Sequence, residues 1–252
     1  MARPRALRLS LSLLGVVLFF AVWEALPRLG LVKSMLLPAP SGIPASFWQE
    51  VSSGAWGEAV LQSLRHYVSG LVLGSALGVA LGVATGMSRT LEDMTNWIVR
   101  LLRPIPGLAW VPFAIIWFGV SPTAANFIII VGVFWINYFS ALSAVQAVDR
   151  DLIELANAFG HRSPLARLFK VILPASVQPI MAGLRTGLGQ AWMAVVAAEL
   201  FGVAGLGQRM MQASSLLATD IVVVYMITMA LLYGVVDAGF VALRDRLLAW
   251  KA

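Results

Sequence analysis

Long apolar runs separated by short polar stretches organise this sequence. Six runs, at about residues 9–26, 64–87, 104–120, 124–148, 174–200 and 221–243, carry few charges. A helix needs roughly 20 apolar residues to cross the hydrocarbon core of a bilayer. The pattern therefore predicts an all-α polytopic membrane protein with six transmembrane helices in a single transmembrane domain over residues 1–252. The first run is expected to be a retained helix rather than a cleaved signal peptide. No A-x-A site closes it, and Trp23, Glu24 and Pro27 follow instead. Pro38, Pro40 and Pro44 break the next segment, where Ser41 to Glu58 reads equally as a surface helix or a loop. The third run, Ile105 to Val120, is short and contains Pro106 and Pro112. It is expected to be kinked, or to begin inside the polar 92–103 segment.

Within the second run, Gly70, Gly74, Gly78, Gly82 and Gly86 recur every four residues. Each step advances 400° around a helix, so the five form a slanted ridge. Such a ridge admits the close approach of a crossing helix. Between residues 149 and 170 lies the most polar stretch of the chain, DRDLIELANAFGHRSPLARLFK.

Composition sharpens the picture. Hydrophobic residues make up 60% and charged residues 12%, with a mean hydropathy of +0.85. A soluble domain carries about 25% charged residues, so a soluble or disordered chain is excluded. The net charge of +6 bears on topology rather than on nucleic acid. With the N-terminus inside, thirteen of the 18 Lys and Arg fall in cytoplasmic segments and four outside, while Arg185 lies within a span. That bias predicts cytoplasmic termini.

Few residues offer covalent chemistry. There is no cysteine, and the two histidines, His66 and His161, lack zinc-site spacing. No G-x-x-x-x-G-K-[ST] motif occurs, so the chain has no P-loop of its own. Gly187-x-Gly189 and Gly205-x-Gly207 follow no strand and read as packing and turn positions. Buried charge is the remaining cue. Arg185 and Asp237 lie inside the fifth and sixth runs, and Glu199 and Asp220 near outer ends. Arg185 is expected to face the interior, against an anionic solute or an acidic partner such as Asp237. An ion-coupled secondary transporter is the alternative class; Asp237 is its deep carboxylate candidate.

The polar stretch reads E-L-A-N-A-F-G from Glu154 to Gly160, then V-I-L-P from Val171 to Pro174. This resembles the EAA loop of the membrane (permease) subunits of bacterial ABC importers. Residues 103–120, 183–192, 195–207 and 218–224 are similar to the nitrate, sulfonate and taurine subfamily of these binding-protein-dependent systems. Leu155 stands where that family has alanine, His161 where a small residue is commoner, and Val171 where isoleucine is usual.

The resemblance implies a permease subunit of the inner membrane that catalyses no covalent chemistry. It implies a homodimer with two ATPase subunits inside, which bind the ATP and Mg, and a periplasmic or lipid-anchored solute-binding protein outside. The solute would be a small anion such as a sulfonate, taurine or nitrate, or else a pyrimidine-like or other organic compound. No cofactor, metal or nucleic acid is implied for this chain. Residues 149–170 would form the coupling loop, with Leu152, Glu154, Leu155, Ala156, Phe159, Gly160 and His161 at the ATPase contact. A helix over 151–158, a turn at Gly160 and a second helix through 163–170 are expected there. Ala156 is expected on the exposed apolar face with Leu152, Leu155 and Phe159. Arg185, Trp110, Trp192 and Glu199 are candidates for the translocation pathway.

Overall fold

The computed structural model describes residues 5–249, with side chains from residue 11 onward. Arg3 and Lys251 of the cytoplasmic charge set lie outside the described residues. Every regular element among them is helical. Five helices are long and apolar enough to cross a membrane, or six if one bent pair is taken as a single span.

Helix α1 (Arg5–Arg28) stands apart, with no buried residue in its apolar stretch. Its C-terminal end is tied to the segment that follows. Trp23 Nε1 donates to the Pro38 carbonyl at 3.0 Å, and Glu24 accepts from the Ser41 hydroxyl and backbone N–H. The segment left open in the sequence forms a short helix, α2 (Ile43–Ser52), and then a left-handed turn at Gly54. Helix α3 (Ala55–Met87) starts nine residues before the expected span, because nothing from Ala55 to Ser63 stops a helix. Its 33 residues rise about 50 Å at 1.5 Å each. That exceeds the ~30 Å hydrocarbon core, so the helix is longer than an upright span requires.

The third run departs most from a simple span. Helix α4 (Arg89–Leu102) is separate and amphipathic, and Ser88 caps it by accepting the Leu91 N–H. It meets the Gly107–Phe118 helical segment at 84°. Pro104 and Pro106 fall at the bend, and Pro106 is extended. Pro112, expected to kink the run, sits instead in the first turn of helix α5 (Val111–Phe118). A missing N–H costs nothing there. Eight residues span only about 12 Å, so α5 alone does not cross.

Helix α6 (Pro122–Gln146) lies between α3 and α9 (Leu173–Leu200) and packs most extensively on α3. The glycine ridge makes that contact. A Cβ at Gly74 would lie 3.0 Å from the Ile130 carbonyl, and one at Gly78 2.6 Å from the Phe134 carbonyl. At Gly70, Gly82 and Gly86 it would strike Ile129, Tyr138 and Val145. Tyr67, Ile129, Val133, Leu188 and Trp192 fill the main core beside this crossing. A second cluster of Val83, Ala141, Val145, Ile172 and Ile180 fills the other end.

Between α6 and α9 come helices α7 (Arg150–Ala158) and α8 (Pro164–Arg167) and a wide π turn, Leu168–Ile172. After α9, helix α10 (Leu206–Ser215) begins within the Gly205-x-Gly207 pair read as turn positions. Helix α11 (Thr219–Leu247) closes the described chain.

Candidate functional site

The 149–170 loop is a braced pair of short helices. Asp149 caps α7, accepting the Asp151 N–H at 3.0 Å. At the other end the Gly160 N–H donates to the Asn157 carbonyl (3.1 Å) and the His161 N–H to the Ala156 carbonyl (2.8 Å). These two bonds form a Schellman stop, which places Gly160 at the left-handed C′ position; its φ is +84°. Ser163 caps α8 through the Ala166 N–H. Arg167 Nε then reaches back to Asn157 Oδ1 at 2.9 Å, locking the helices together. His161 Nε2 lies 3.3 Å from Lys170 Nζ.

Leu152 and Leu155 on α7 and Phe159 at its C-cap are left exposed, Leu155 by 54% and Phe159 by 73%. With Val171, Pro174 and Ala175 they border an open groove of about 610 Å³. Ala156 is not part of the exposed face: it is buried, although it also lines the groove. Its small size therefore serves the packing of α7 within this chain. Glu154 is exposed and lies outside the apolar stripe.

The buried charges divide into three arrangements. Arg185 on α9 grips Asp237 on α11 in a two-pronged pair, Nε to Oδ1 at 2.8 Å and Nη2 to Oδ2 at 2.7 Å. The Arg185 side chain is nonetheless 45% exposed, and that of Asp237 24%. Glu199 was a pathway candidate, but it is fully enclosed and borders no open surface. Its carboxylate accepts from the Ser63 hydroxyl at 2.7 Å and the Gly207 N–H at 2.9 Å, and lies 3.4 Å from His66 Nδ1. Ser63 in turn accepts the Leu206 N–H at 2.9 Å. Glu199 and Ser63 thus satisfy the first N–H groups of α10, which a helix N-terminus leaves without internal partners. They fasten α10 to α3 and α9.

The third arrangement was not foreseen. Glu50 on α2 accepts from Arg209 Nη2 on α10 at 2.9 Å and from the Tyr225 hydroxyl on α11 at 2.5 Å. Burial pushes the Glu50 carboxyl up, but these bonds and the Arg209 charge outweigh it and hold the group below its ordinary value. Bonds to Tyr225 and Glu50 hold Arg209 above its own. Ser46 adds a 2.6 Å bond to Asp220. Together α2, α10 and the first turns of α3 form a tied platform at one end of the molecule. The single sequence hint was an isolated Glu and an isolated Arg in otherwise weakly charged segments.

The two tryptophans also separate. Trp192 is buried edge-on against Tyr67 in the core. Trp110 packs with Phe113 and Phe127, and its indole N–H has no acceptor among the described residues. No group of three or more His, Asp or Glu placed to hold a metal ion is found among the described residues.

Long apolar helices joined by a braced polar loop are compatible with a transport subunit. The family assignment agrees. Residues 70–249 match the model of the binding-protein-dependent transport system inner membrane component, and the chain belongs to that family. It is 36% identical to a putative aliphatic sulfonates transport permease of Escherichia coli, over 92% of this chain and 88% of that one. It is 32% identical to the taurine transport system permease of the same organism, over 98% and 92%. It is 36% identical to a putative ABC transporter permease of Methanocaldococcus jannaschii, over 97% and 92%. The fold resembles that of an amino acid ABC transporter chain, with a TM-score of 0.59 and 18% identity over 80% of this chain and 96% of that one.

The protein is accordingly a multi-pass inner-membrane permease component of an ABC importer, not an enzyme. Binding-protein-dependent transport implies an ATPase and a solute-binding protein as partners. The membership sets aside the ion-coupled transporter.

Proposed function

We propose that this permease works as a homodimer, with both termini cytoplasmic, and that it imports a small anionic solute of the sulfonate, taurine or nitrate type. Two ATPase subunits drive it through residues 149–170, and a periplasmic or lipid-anchored binding protein delivers solute to the opposite face. The ATP and Mg belong to the ATPase subunits. The thirteen-to-four charge bias supports the orientation. The names of the sulfonate, taurine and nitrate permeases among the relatives support the solute class.

The observation that carries the reading is the exposed apolar face of α7. Leu152, Leu155 and Phe159 project from a helix capped at both ends and braced by Arg167. Such a helix moves as one body, so a displacement at its tip reaches α9 through the π turn at Leu168–Ile172. Alternating access then follows from ATP-driven movement of the two coupling loops.

The test uses Gly160→Val and Leu155→Asp in the purified permease–ATPase complex. Valine at the left-handed Gly160 position disrupts the Schellman stop, and aspartate places a charge on the docking face without entering the chain's own core. Both variants should insert normally, retain less ATPase, and lose the ATPase stimulation given by loaded binding protein. Full ATPase recovery and full stimulation in both would overturn the coupling assignment.

A further inference from the structure

The helices turn chemically different faces outward. On α3 the exposed residues of the span include Val68, Val72, Leu73, Leu77 and Leu81, a face suited to lipid. Helix α9 exposes Gln178, Pro179, Ala182, Arg185, Thr186 and Met193 instead. At 100° per residue these lie within an arc of about 120°. Gln178 makes no side-chain hydrogen bond to the described chain. Arg185 lies about 18 Å from one end of α9 and about 22 Å from the other at 1.5 Å per residue. That places the guanidinium in the middle of α9, where a charged head is costly to hold in hydrocarbon. A half-exposed guanidinium at that depth borders water or protein, not hydrocarbon.

We propose that this face of α9 borders the solute path and that Arg185 reads the anionic group of the solute. Asp237 is the resident counter-ion that the solute displaces. The inference rests on the reading of this chain as an anion-importing permease and adds the residue that selects the anion.

The geometry fits an exchange of one oxyanion for another. Asp237 occupies the Nε–Nη2 edge of the guanidinium with two parallel bonds. Any group that presents two oxygens on one centre, as a sulfonate or nitrate does, matches that edge equally well. The pair is reachable, because neither side chain is enclosed. Gly189, one turn along, leaves room for the Tyr233 hydroxyl, which a Cβ there would approach to 3.3 Å. This gives the path a further polar group beside the fork. Once the solute holds Arg185, the Asp237 carboxylate remains close and unpaired and repels it. Binding is then weak and reversible, as passage requires. A neutral solute cannot make the exchange, since it would leave Arg185 unpaired or fail to dislodge Asp237.

The experiment measures binding of ethanesulfonate to the permease–ATPase complex in nanodiscs without binding protein, with dimethyl sulfone as the neutral control. Wild type should bind ethanesulfonate weakly. Asp237→Asn should bind it at least tenfold more tightly, because the competitor is gone. Arg185→Gln should lose binding, and dimethyl sulfone should bind none of them. The double variant Arg185→Gln with Asp237→Asn replaces the ion pair by two amides, which guards against a fold lost through an unpaired charge. It should assemble with the ATPase and bind no sulfonate. Unchanged or weaker binding in Asp237→Asn, or wild-type binding in Arg185→Gln or the double variant, would overturn the proposal. If the ATPase copurifies yet neither wild type nor Asp237→Asn binds ethanesulfonate, the anion site is wrong and the permease reading stands. If the ATPase does not copurify with wild type, the coupling reading fails and the anion proposal falls with it.

Discussion

Replacing Gly78 by alanine adds one methyl group at a close backbone approach of the α3–α6 crossing. The new Cβ would sit 2.6 Å from the Phe134 carbonyl oxygen and 3.0 Å from the Asn137 Cβ, where ordinary contact begins at 3.4 Å. Both obstacles belong to the α6 backbone or are fixed to it, so no flexible side chain can swing away. The helices must part by about 1 Å, which forfeits a quarter to a half of each neighbouring dispersion contact. Overpacking of this kind costs about 1–3 kcal/mol. For a chain of this size that corresponds to a fall in melting temperature of about 2–12 °C. Gly57 supplies the control, since it lies on the same helix and has nothing within 4 Å of an added Cβ. Gly57→Ala should be neutral or gain up to ~1 kcal/mol from helix propensity. The assay is thermal unfolding of the purified permease–ATPase complex, with Gly78→Leu expected to abolish assembly. Equal melting of Gly78→Ala, Gly57→Ala and wild type would refute the close-crossing argument.

Reporter fusions at Gly54 and at the C-terminus should report opposite compartments; the same compartment for both would contradict the proposed topology. Glu199→Leu should destabilise the protein by about 1–3 kcal/mol, the cost of leaving buried donors unsatisfied. Protection of the Gly207 amide in hydrogen exchange should fall with it, and unchanged protection would exclude the cap. Glu50 should make stability acid-sensitive. Its carboxyl is held below the ordinary value of 4.5, so its contribution is complete above that pH and is lost as pH falls through the lower folded value. Glu50→Gln should remove that part of the acid dependence and cost about 1.5–3 kcal/mol at neutral pH; an unaltered pH profile would show that the platform does not depend on this group.

What the sequence disclosed and what it hid have different physical origins. The glycine ridge and the 149–170 loop were legible because each is a local pattern. Five glycines at one spacing predict a crossing, and a polar stretch with a single central glycine predicts two short helices and a stop. Helix α4 was hidden because it has no continuous apolar run, only an amphipathic period. The run was expected to be kinked, or to begin inside residues 92–103; the bend lies at Pro104–Pro106, and of the two prolines singled out Pro112 falls in the first turn of α5. Helix α10 was masked by its glycines, of which Gly205 lies before its first turn and Gly207 lies within it. The Glu50–Arg209–Tyr225 platform joins residues far apart in the chain, and no spacing rule connects them. Glu199 illustrates a different limit. A carboxylate near the end of a span looks the same in sequence whether it lines a channel or caps a neighbouring helix.

The central claim is that α7 is the part of this permease that an ATPase grips. The absence of cysteine allows a single Phe159→Cys substitution to carry a photo-crosslinker at the exposed C-cap of α7. Ser53→Cys, between α2 and α3, is the matched control. Irradiation of the assembled complex should join the permease to the ATPase subunit through position 159 and not through position 53, and the yield should change between nucleotide-free and ATP-bound states. An ATPase that copurifies fully yet crosslinks at neither position, or only at 53, would contradict the account.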